Sequence, residues 1–278
     1  MSTDTGWVTQ GLQVDGRSVY CRRSTRGQGL PVVHVHGFAI SGEYLMPTAH
    51  RLARRWINVV PDLPGYGRSE RRDHVLDIPA LAEALVAVLD ALDIDQAVLV
   101  GNSMGCPISL EVAHAAPERV DRLVLVSPAG GMHNQPMLRA FAQLARDGTR
   151  ESPRMLPVAV PDYVRFGVLN GLRLFRELTR YPSLERLVGT PVPTLAVLGG
   201  RDALMASPAR VREVARLSPE HLTVALIEKA AHAINFSHPE ELAGTIELWL
   251  DDALAEGAGL PNGVLEVVPH GGAGRPGA

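Results

Sequence analysis

The sequence predicts an α/β protein built on a mostly parallel sheet of about eight strands, with helices on both faces. Three observations support this prediction: short runs that are apolar throughout, longer amphipathic runs between them, and Gly, Pro or Asp residues where one kind of run gives way to the other. A strand that is apolar on both sides is buried on both faces, which is typical of parallel sheets covered by crossover helices.

The first predicted element is a β-hairpin. The runs WVTQGLQV and SVYCRRS flank Asp15-Gly16, and Asp-Gly is a strong signal for a two-residue hairpin turn. Strands and helices then alternate along the first half of the chain. They are the strand PVVHVH, a helix over about residues 42–55, the strand INVVPD, the helix IPALAEALVAVLDAL, the strand AVLVGN, the helix SMGCPISLEVAHAA and the strand RLVLVS.

The alternation is interrupted at residues 131–190 and resumes with the strand PTLAVLGG, the helix SPARVREVARL, the strand LTVALIE and the helix PEELAGTIELWLDDAL. The interruption has the pattern of two or three amphipathic helices. We therefore predict a core of residues 1–130 and 191–256, and a small helical cap of residues 131–190 inserted between strands 6 and 7. Such an insertion emerges at the carboxyl edge of the sheet, where open α/β sheets bind ligands. The Gly- and Pro-rich residues 257–278 are expected to be largely disordered.

Composition and charge limit the possible functions. With 278 residues, 46% of them apolar, and a net charge of −3, the chain can form a large core, and its charge disfavours nucleic acid or an anionic membrane as partner. The start, MSTDTGWVTQ, lacks the pattern of a signal peptide, and no apolar run reaches the ~18 residues of a membrane span. Cys21 and Cys106 are the only cysteines and are expected to be free. We predict a cytoplasmic enzyme with a small-molecule substrate, either a monomer or a homodimer.

The stretch GNSMG, at the end of the strand AVLVGN, is the strongest chemical signal. Ser103 stands between Gly101 and Gly105, and an apolar helix follows. In a strand–Gly-x-Ser-x-Gly–helix context, the glycines permit a tight, strained turn that exposes the serine at the edge of the sheet. The first N–H groups of the helix point towards any negative charge that develops there. The alternative is a Gly-rich turn with a capping serine, but the flanking strand and helix favour a nucleophile.

A serine nucleophile needs an oriented base. Among the ten histidines, His232 lies between the last strand and the last helix of the core, where such a base is expected. His238 lies in the same loop but precedes Pro239, a position that suits a turn or a helix cap. His232 is therefore the predicted base.

The acid that orients the base should also follow a strand. Asp202 does so in LAVLGGRDAL, whereas no acid follows the strand RLVLVS. Asp62 ends an earlier strand, but its Pro- and Gly-rich surroundings predict a carboxylate that stabilises a turn. The chain order Ser103, Asp202, His232 is the order expected for this nucleophile turn.

Acyl transfer also needs N–H donors for the oxyanion. The backbone N–H of Met104, directly after the nucleophile, is one candidate. The loop after PVVHVH supplies the other, since Gly37 lets the backbone approach and the N–H of Phe38 follows it. His36 is expected to brace this loop by hydrogen bonds.

With these residues in place, the chain resembles the α/β-hydrolase fold family. The motifs HVHGFAISG, PDLPGYGRS, VGNSMGC, LGGRDAL and AAHAINFSHPEEL occur in the family's order within residues 7–255. The resemblance implies a catalytic triad with a serine nucleophile, and it identifies the insertion as the family's lid, or cap. It also implies a reaction that needs no cofactor and no metal.

Within the family, the resemblance leaves several functions open. Ser103 disfavours epoxide hydrolases and haloalkane dehalogenases, whose nucleophile is aspartate. GNSMG and SPAGG resemble the C–C bond hydrolases of meta-cleavage products, but the chain has HGFAISG where those enzymes have an HGxGPG-like loop, and Ala233 where they often have tryptophan. The preferred interpretation is a carboxylesterase or lactonase that cleaves a small apolar ester or lactone by two-step acyl transfer. A C–C hydrolase of dienones is the alternative, and a small-molecule binding protein or a cofactor-independent oxygenase or perhydrolase is a minor one.

The cap is expected to select the substrate through a largely apolar pocket. Its predicted lining comprises Phe38, Met104, Tyr163, Phe166, Leu169, Phe175 and Ile234. The insertion also holds nine arginines, no lysine and five acids. Arg165, Arg173 and Arg176 are candidates to bind a substrate carboxylate, although solvated helix faces explain them more simply.

Overall fold

The computed structural model describes residues 6–72, 74–128, 137–204, 222–254 and 258–268. These residues contain one sheet of nine strands in the order β1-β2-β4-β3-β5-β6-β7-β8-β9. The strands are β1 (Trp7–Val14), β2 (Arg17–Ser24), β3 (Gln28–Val35), β4 (Trp56–Pro61), β5 (Ala97–Asn102), β6 (Val120–Val126), β7 (Thr194–Gly199), β8 (Leu222–Ile227) and β9 (Val264–Val268).

Strands β3 to β8 are mutually parallel, whereas β1, β2 and β9 pair antiparallel with their neighbours. All eight predicted strands are confirmed. At the hairpin, Asp15 and Gly16 have φ of 51° and 71°, the left-handed conformation that a type I′ turn requires at both central residues. The Asp-Gly pair therefore sets the register in which Val14 faces Arg17.

Nine α-helices lie in the described part of the chain. They are α1 (Met46–Leu52), α2 (Ile78–Asp90), α3 (Gly105–Ala115), α4 (Met137–Gly148), α5 (Leu156–Phe166), α6 (Val168–Arg180), α7 (Ser183–Val188), α8 (Ile234–Ser237) and α9 (Pro239–Leu250). Helix α2 begins where the Asp77 carboxylate accepts a hydrogen bond from the Ala80 N–H at 2.9 Å, since this N-cap satisfies a backbone donor that the helix cannot. The predicted helix SPARVREVARL lies outside the described residues.

The core lies on both faces of the sheet. Every residue of β5 and of β7 is buried, and alternate residues of a strand point to opposite faces. Val33 and Leu99 belong to the apolar cluster that contains the buried faces of α2 and α3. Val32 and Val98 belong to the cluster that contains Trp249 and the other buried residues of α9. This two-sided burial explains why the strands are apolar throughout.

The four helices α4–α7 follow β6 and precede β7 in the chain, at the place where the cap is expected. Part of their apolar surface packs on the main core, because Phe166, Leu174 and Leu178 belong to the same cluster as β3 and β5. Helices α5 and α6 thereby pack on the main core, and residues of α4, α5 and α6 line the same cavity as Ser103.

The C-terminal segment differs from the expectation. The run VLEVV forms β9, which adds to the edge of the sheet beside β8, with Leu265 opposite Leu226. The Gly and Pro residues around this run pointed to disorder, but three valines favour a strand where a sheet edge is open to pair. Residues 269–278 lie outside the described residues.

Asp62, at the end of β4, stabilises the turns beside the site. Its Oδ1 accepts hydrogen bonds from Nη1 of Arg22 and from the N–H of Gly42, both at 2.8 Å, and its Oδ2 accepts one from the N–H of Arg68 at 2.9 Å. The carboxylate is completely buried. The prediction that Asp62 stabilises a turn is confirmed.

Candidate active site

Ser103 lies in a strained turn between β5 and α3. Its φ is 55°, in the left-handed region where the Cβ of an L-residue is crowded. The Ser103 N–H donates to the carbonyl of Val126, at the end of β6, at 3.0 Å. The turn is thus fixed by the neighbouring parallel strand, and the strain that the sequence predicts at the serine is present.

The two glycines of the motif are required by close packing. A Cβ on Gly101 would lie 2.4 Å from the carbonyl oxygen of Gly105, and a Cβ on Gly105 would lie 2.1 Å from that of Val35. Neither glycine has positive φ. They let the start of α3 approach β3 and β5, while Ser103 itself takes the left-handed conformation.

Asp202 and His232 come together although thirty residues separate them. Oδ2 of Asp202 lies 2.7 Å from Nδ1 of His232, and the Asp202 side chain is completely buried. Asp202 follows β7 and His232 follows β8, so adjacent parallel strands deliver the two side chains to one edge. The Leu204 N–H donates to Oδ1 of Asp202 at 2.8 Å.

The charges around His232 favour its protonated form. Burial by itself lowers the pKa of His232, but the nearby carboxylates of Asp202, Asp147 and Glu151 outweigh burial and raise it to about 9. For Asp202, burial acts to raise the pKa, but the charge and hydrogen bond of His232 lower it overall. Asp202 and His232 therefore each favour the charged form of the other.

Ser103 and His232 open onto the same cavity, which has a volume of about 590 Å³. Nε2 of His232 is buried and has no hydrogen-bond partner among the described residues. This nitrogen is the one that a base would use, since Nδ1 is held by Asp202. Nε2 of His232 is therefore not hydrogen-bonded to the Ser103 hydroxyl in this structure. Such hydrogen bonds to a nucleophile are often long in an unliganded site and tighten when substrate binds.

The loop after β3 lies directly beside Ser103, as the oxyanion-hole prediction requires. The site of a Cβ on Gly37 is 3.2 Å from Cβ of Ser103, and Phe38 lines the cavity. Nε2 of His36 accepts a hydrogen bond from the Leu63 N–H at 3.0 Å, and Nδ1 lies 3.0 Å from the Gly37 carbonyl. Burial lowers the pKa of His36, so the neutral ring braces the loop, as expected.

Tyr44 and Asn102 also position this loop, and no sequence pattern pointed to either residue. The Gly37 N–H donates to the Tyr44 hydroxyl at 2.9 Å, and that hydroxyl donates to Oδ1 of Asn102 at 2.6 Å. Asn102 donates through Nδ2 to the carbonyls of Val126 and His232, at 3.0 and 3.4 Å. This network ties the turns after β3, β5 and β6 to the His232 loop.

The predicted apolar pocket is present in part. Phe38, Tyr163 and Phe175 line the cavity. Phe166 and Met104 lie in the core instead, and the ring centroid of Phe166 is 6.0 Å from that of Phe38.

The placement of Leu169 and Ile234 in the pocket is wrong. Leu169 is 72% exposed on α6, and Ile234 is completely buried in the cluster that contains α9. The remaining walls are mostly apolar, and their large side chains are Ile40, Leu144, Met155, Leu156, Leu178 and Leu204.

The charged cap residues that line the cavity are acids. Asp147 and Glu151 line it, whereas Arg165, Arg173 and Arg176 are exposed on the cap helices and do not. Burial, together with nearby acids, raises the pKa of Asp147 to about 6. The solvated-face interpretation thus fits the three arginines, and the two carboxylates are functional candidates that the sequence did not reveal.

The described residues contain neither a metal-binding cluster nor a helix that could cross a membrane. Within the described residues, no group of three or more His, Cys, Asp or Glu side chains forms a metal-binding cluster. In the same part of the chain, no helix has the length and apolarity needed to cross a membrane.

A family model described as the alpha/beta hydrolase family matches residues 32–245. The chain belongs to this family. The resemblance that the sequence motifs indicated is confirmed, and so are the fold class and the expectation of an enzyme of this superfamily.

Proteins of similar sequence have names that describe several different activities. The dihydrolipoyllysine-residue acetyltransferase component of the acetoin cleaving system of Pseudomonas putida is 28% identical over 85% of this chain. The pimeloyl-[acyl-carrier protein] methyl ester esterase of Pectobacterium carotovorum is 29% identical over 78% of this chain and 92% of its own length. The 2-hydroxymuconate semialdehyde hydrolase of a Pseudomonas species is 40% identical over 37% of this chain and 38% of its own.

Some relatives are longer than this hydrolase-family chain. It spans 68% of the Pseudomonas putida protein and 62% of an uncharacterized protein of Mycobacterium tuberculosis.

Solved structures agree with the hydrolase fold. Est816, an N-acyl homoserine lactone degrading enzyme, has a TM-score of 0.68 at 26% identity, over 86% of this chain and 99% of its own. A membrane phospholipase A has a TM-score of 0.75 at 24% identity, over 89% of this chain and 86% of its own. The second likeness is one of fold alone.

Proposed function

We propose that this hydrolase-family protein is a serine hydrolase that cleaves a small apolar ester or lactone by two-step acyl transfer. One observation carries the proposal: the Asp202–His232 pair, joined at 2.7 Å, opens with the strained Ser103 onto a single cavity of about 590 Å³. Nucleophile, base and orienting acid are the three parts that activate a serine hydroxyl.

In the first step, Nε2 of His232 takes the proton of the Ser103 hydroxyl while Oγ attacks the substrate carbonyl carbon. Asp202 holds the imidazole through Nδ1 and stabilises the imidazolium that forms. The N–H groups of Met104 and Phe38 stabilise the oxyanion, and the loss of one such donor costs about 3–4 kcal/mol in the transition state. The imidazolium then gives its proton to the leaving alkoxide, which departs as the alcohol of an ester or remains on the acyl chain as the hydroxyl of an opened lactone.

In the second step, His232 removes a proton from water, and the resulting hydroxide attacks the acyl-enzyme. The same backbone donors stabilise the second oxyanion. Collapse of this intermediate breaks the bond to Oγ, His232 returns the proton to Ser103, and the free acid leaves.

The walls of the cavity support a neutral, apolar class of substrate. They are mostly apolar, and their described charged groups other than His232 are Asp147 and Glu151. Two carboxylates beside the base repel an anionic substrate, so a neutral acyl compound fits better. The esterase and lactone-degrading relatives support the same class of reaction.

A C–C hydrolase of meta-cleavage-type dienones is the second candidate, supported by the 40% identity to 2-hydroxymuconate semialdehyde hydrolase. In that reaction, His232 would first assist the tautomerisation of a dienol. A dienone that carries a carboxylate would meet Asp147 and Glu151, while the candidate cap arginines lie outside the cavity. The charges therefore favour the ester or lactone.

The decisive experiment is labelling with a fluorophosphonate followed by mapping of the adduct. We expect the label on Ser103 in the wild type and none in Ser103→Ala. A wild type that is active but carries no adduct at Ser103 would exclude every mechanism with a serine nucleophile.

A comparison of substrates then separates the two hydrolase functions. We expect turnover of short-chain p-nitrophenyl esters or lactones and little turnover of a meta-cleavage dienone. Hydrolysis of the dienone alone would establish the C–C hydrolase. Turnover of neither, despite labelling, would favour the binding-protein or perhydrolase alternatives.

The cytoplasm remains the proposed location of this enzyme, since Cys21 and Cys106 are both free and buried and disulfides are rare in reducing compartments. A small molecule remains the proposed partner. The absence of nucleic-acid and membrane partners stays a prediction.

A further inference from the structure

A five-residue segment of the cap, residues 147–151, touches both loops that hold the Asp202–His232 pair. Oδ1 of Asp147 accepts a long hydrogen bond, 3.5 Å, from the Ala203 N–H. Nη1 of Arg150 donates to the carbonyl of Arg201. Oε1 of Glu151 accepts a hydrogen bond from the Ala233 N–H at 2.8 Å. We call residues 147–151 the clamp segment.

The partners of the clamp segment are the immediate neighbours of the triad residues. Arg201 and Ala203 flank Asp202, and Ala233 follows His232. On the core side, the two loops are already joined, since the Arg201 N–H donates to the Ala230 carbonyl at 2.9 Å. On the opposite side, the clamp segment of the cap contacts the same two loops. Both loops are therefore held between the sheet and the cap.

We propose that the clamp segment sets the orientation of the Asp202–His232 pair, with Glu151 as the main positioning residue. This inference rests on the proposed serine hydrolase function. The cap then contributes to the chemical step as well as to substrate selection, because a displacement of the cap moves the backbone on both sides of Asp202 and directly after His232. Errors of about 1 Å in the position of a catalytic group can lower rates ~100-fold.

Glu151 has two separable roles. Its Oε1 holds the Ala233 N–H, which needs only a hydrogen-bond acceptor. Its Oε2 is buried without a partner among the described residues, and its charge acts on His232 together with Asp147 and Asp202. A glutamine keeps the acceptor and removes the charge, whereas an alanine removes both.

The test compares Glu151→Gln, Glu151→Ala and Arg150→Ala with two control variants in exposed positions of the cap, Glu177→Ala and Arg154→Ala. In Glu151→Ala, we expect kcat and the fluorophosphonate labelling rate to fall by about tenfold or more, with a smaller change in KM. In Glu151→Gln, we expect kcat close to that of the wild type at high pH and an acidic limb of the pH profile displaced to lower pH. The two control variants should have the kcat, the labelling rate and the pH profile of the wild type.

Hydrogen–deuterium exchange provides a readout that does not depend on activity. Loss of the carboxylate acceptor in Glu151→Ala should speed exchange of the amide of Ala233 by about tenfold, and Arg150→Ala should speed exchange in residues 199–204. Thermal unfolding of every variant identifies any that fail to fold. Glu151→Gln keeps the proposal testable should Glu151→Ala unfold.

Unchanged kcat, labelling rate and exchange in Glu151→Ala would overturn the clamp. A fall in kcat of equal size in Glu177→Ala would also overturn it, because a general loss of cap structure would then explain the effect. These outcomes differ from failure of the proposed function, in which the wild type itself is not labelled at Ser103 while the exchange differences persist.

Discussion

Oδ2 of Asp202 and Nδ1 of His232 lie 2.7 Å apart at the ends of two adjacent parallel strands. This contact engages Nδ1 of His232, while Nε2 has no hydrogen-bond partner among the described residues. It also places a buried negative charge against the ring. In the proposed mechanism, the same pair determines both the geometry of the base and the pH at which the base can accept a proton.

Activity should increase with pH and level off above about 9. Asp202, Asp147 and Glu151 raise the pKa of His232 to about 9, and a protonated imidazole cannot take the Ser103 proton. Below this pKa, kcat/KM for a neutral ester should therefore change about tenfold per pH unit. Measurement of kcat/KM from pH 6 to 10, corrected for spontaneous hydrolysis, checks the prediction. A midpoint of the kcat/KM profile near pH 6.5 would mean that the carboxylates do not raise the pKa of His232.

Ser103→Gly should abolish activity without loss of stability. Ser103 has φ of 55°, a conformation that costs an L-residue roughly 1–2 kcal/mol and glycine almost nothing. The larger chain entropy of unfolded glycine offsets part of this relief. We expect a free energy of unfolding equal to that of the wild type or up to about 1 kcal/mol higher.

The matched control is Ser109→Gly, six residues further on in α3, where the backbone is helical. Glycine in a helix interior costs about 1 kcal/mol, and this variant also loses the bond from Oγ of Ser109 to the Gly105 carbonyl. Urea unfolding of both variants checks the pair. Equal destabilisation at both positions would show that the turn at Ser103 stores no strain.

The sequence predicted the parts of the site that follow strands, and it missed the parts that the cap supplies. Ser103, Asp202 and His232 each lie within five residues of the end of an apolar strand, so the alternation of strands and helices indicated where to look for them. Asp147 and Glu151 lie at the end of α4 and just beyond it, among polar residues that resemble any solvated helix end. Their burial depends on how the cap packs over the sheet, which a local pattern does not encode.

The same limit explains the errors in the predicted pocket. Ile234 is adjacent in sequence to cavity residue Ala233, but the chain turns into α8 there and directs the side chain into the core beside α9. Leu169 was predicted to line the pocket because it is apolar, but its side chain is exposed on the outer face of α6. Sequence proximity to a catalytic residue therefore does not determine which face of the turn a side chain occupies.

Asp147→Asn should stabilise the protein at neutral and alkaline pH. Burial raises the pKa of Asp147 to about 6 from its ordinary 3.8, so the folded state disfavours the ionised carboxylate. The cost is present above pH 6 and disappears as the pH falls through 6 towards 4, where both states bind the proton. We expect a gain on the order of 1–2 kcal/mol in the free energy of unfolding at pH 8.

Urea unfolding of the wild type and Asp147→Asn at pH 8, 6 and 4 measures this gain. Glu177→Gln, on the exposed surface of α6, is the control and should leave the free energy of unfolding close to that of the wild type. Asp147→Asn should also move the acidic limb of kcat/KM to lower pH, because one of the charges that raise the pKa of His232 is gone. Lower stability of Asp147→Asn at pH 8 would contradict the argument.

Gly105→Ala should be among the most damaging single methyl additions in the protein. The new Cβ would lie 2.1 Å from the carbonyl oxygen of Val35, which is backbone of β3 and cannot rotate away. Relief requires α3 to move from the sheet, and α3 begins beside Ser103. We expect a loss of about 3 kcal/mol or more in the free energy of unfolding, together with loss of fluorophosphonate labelling.

Gly148→Ala is the matched control for this substitution. Gly148 ends α4, has no atom within 4 Å of an added Cβ and does not have positive φ. Alanine there should be neutral or stabilise by up to about 1 kcal/mol, because it reduces the entropy of the unfolded chain. Thermal and urea unfolding of the two variants measure the difference. If Gly105→Ala folded as stably as Gly148→Ala, the close contact between α3 and β3 that places Ser103 at the sheet edge would not exist.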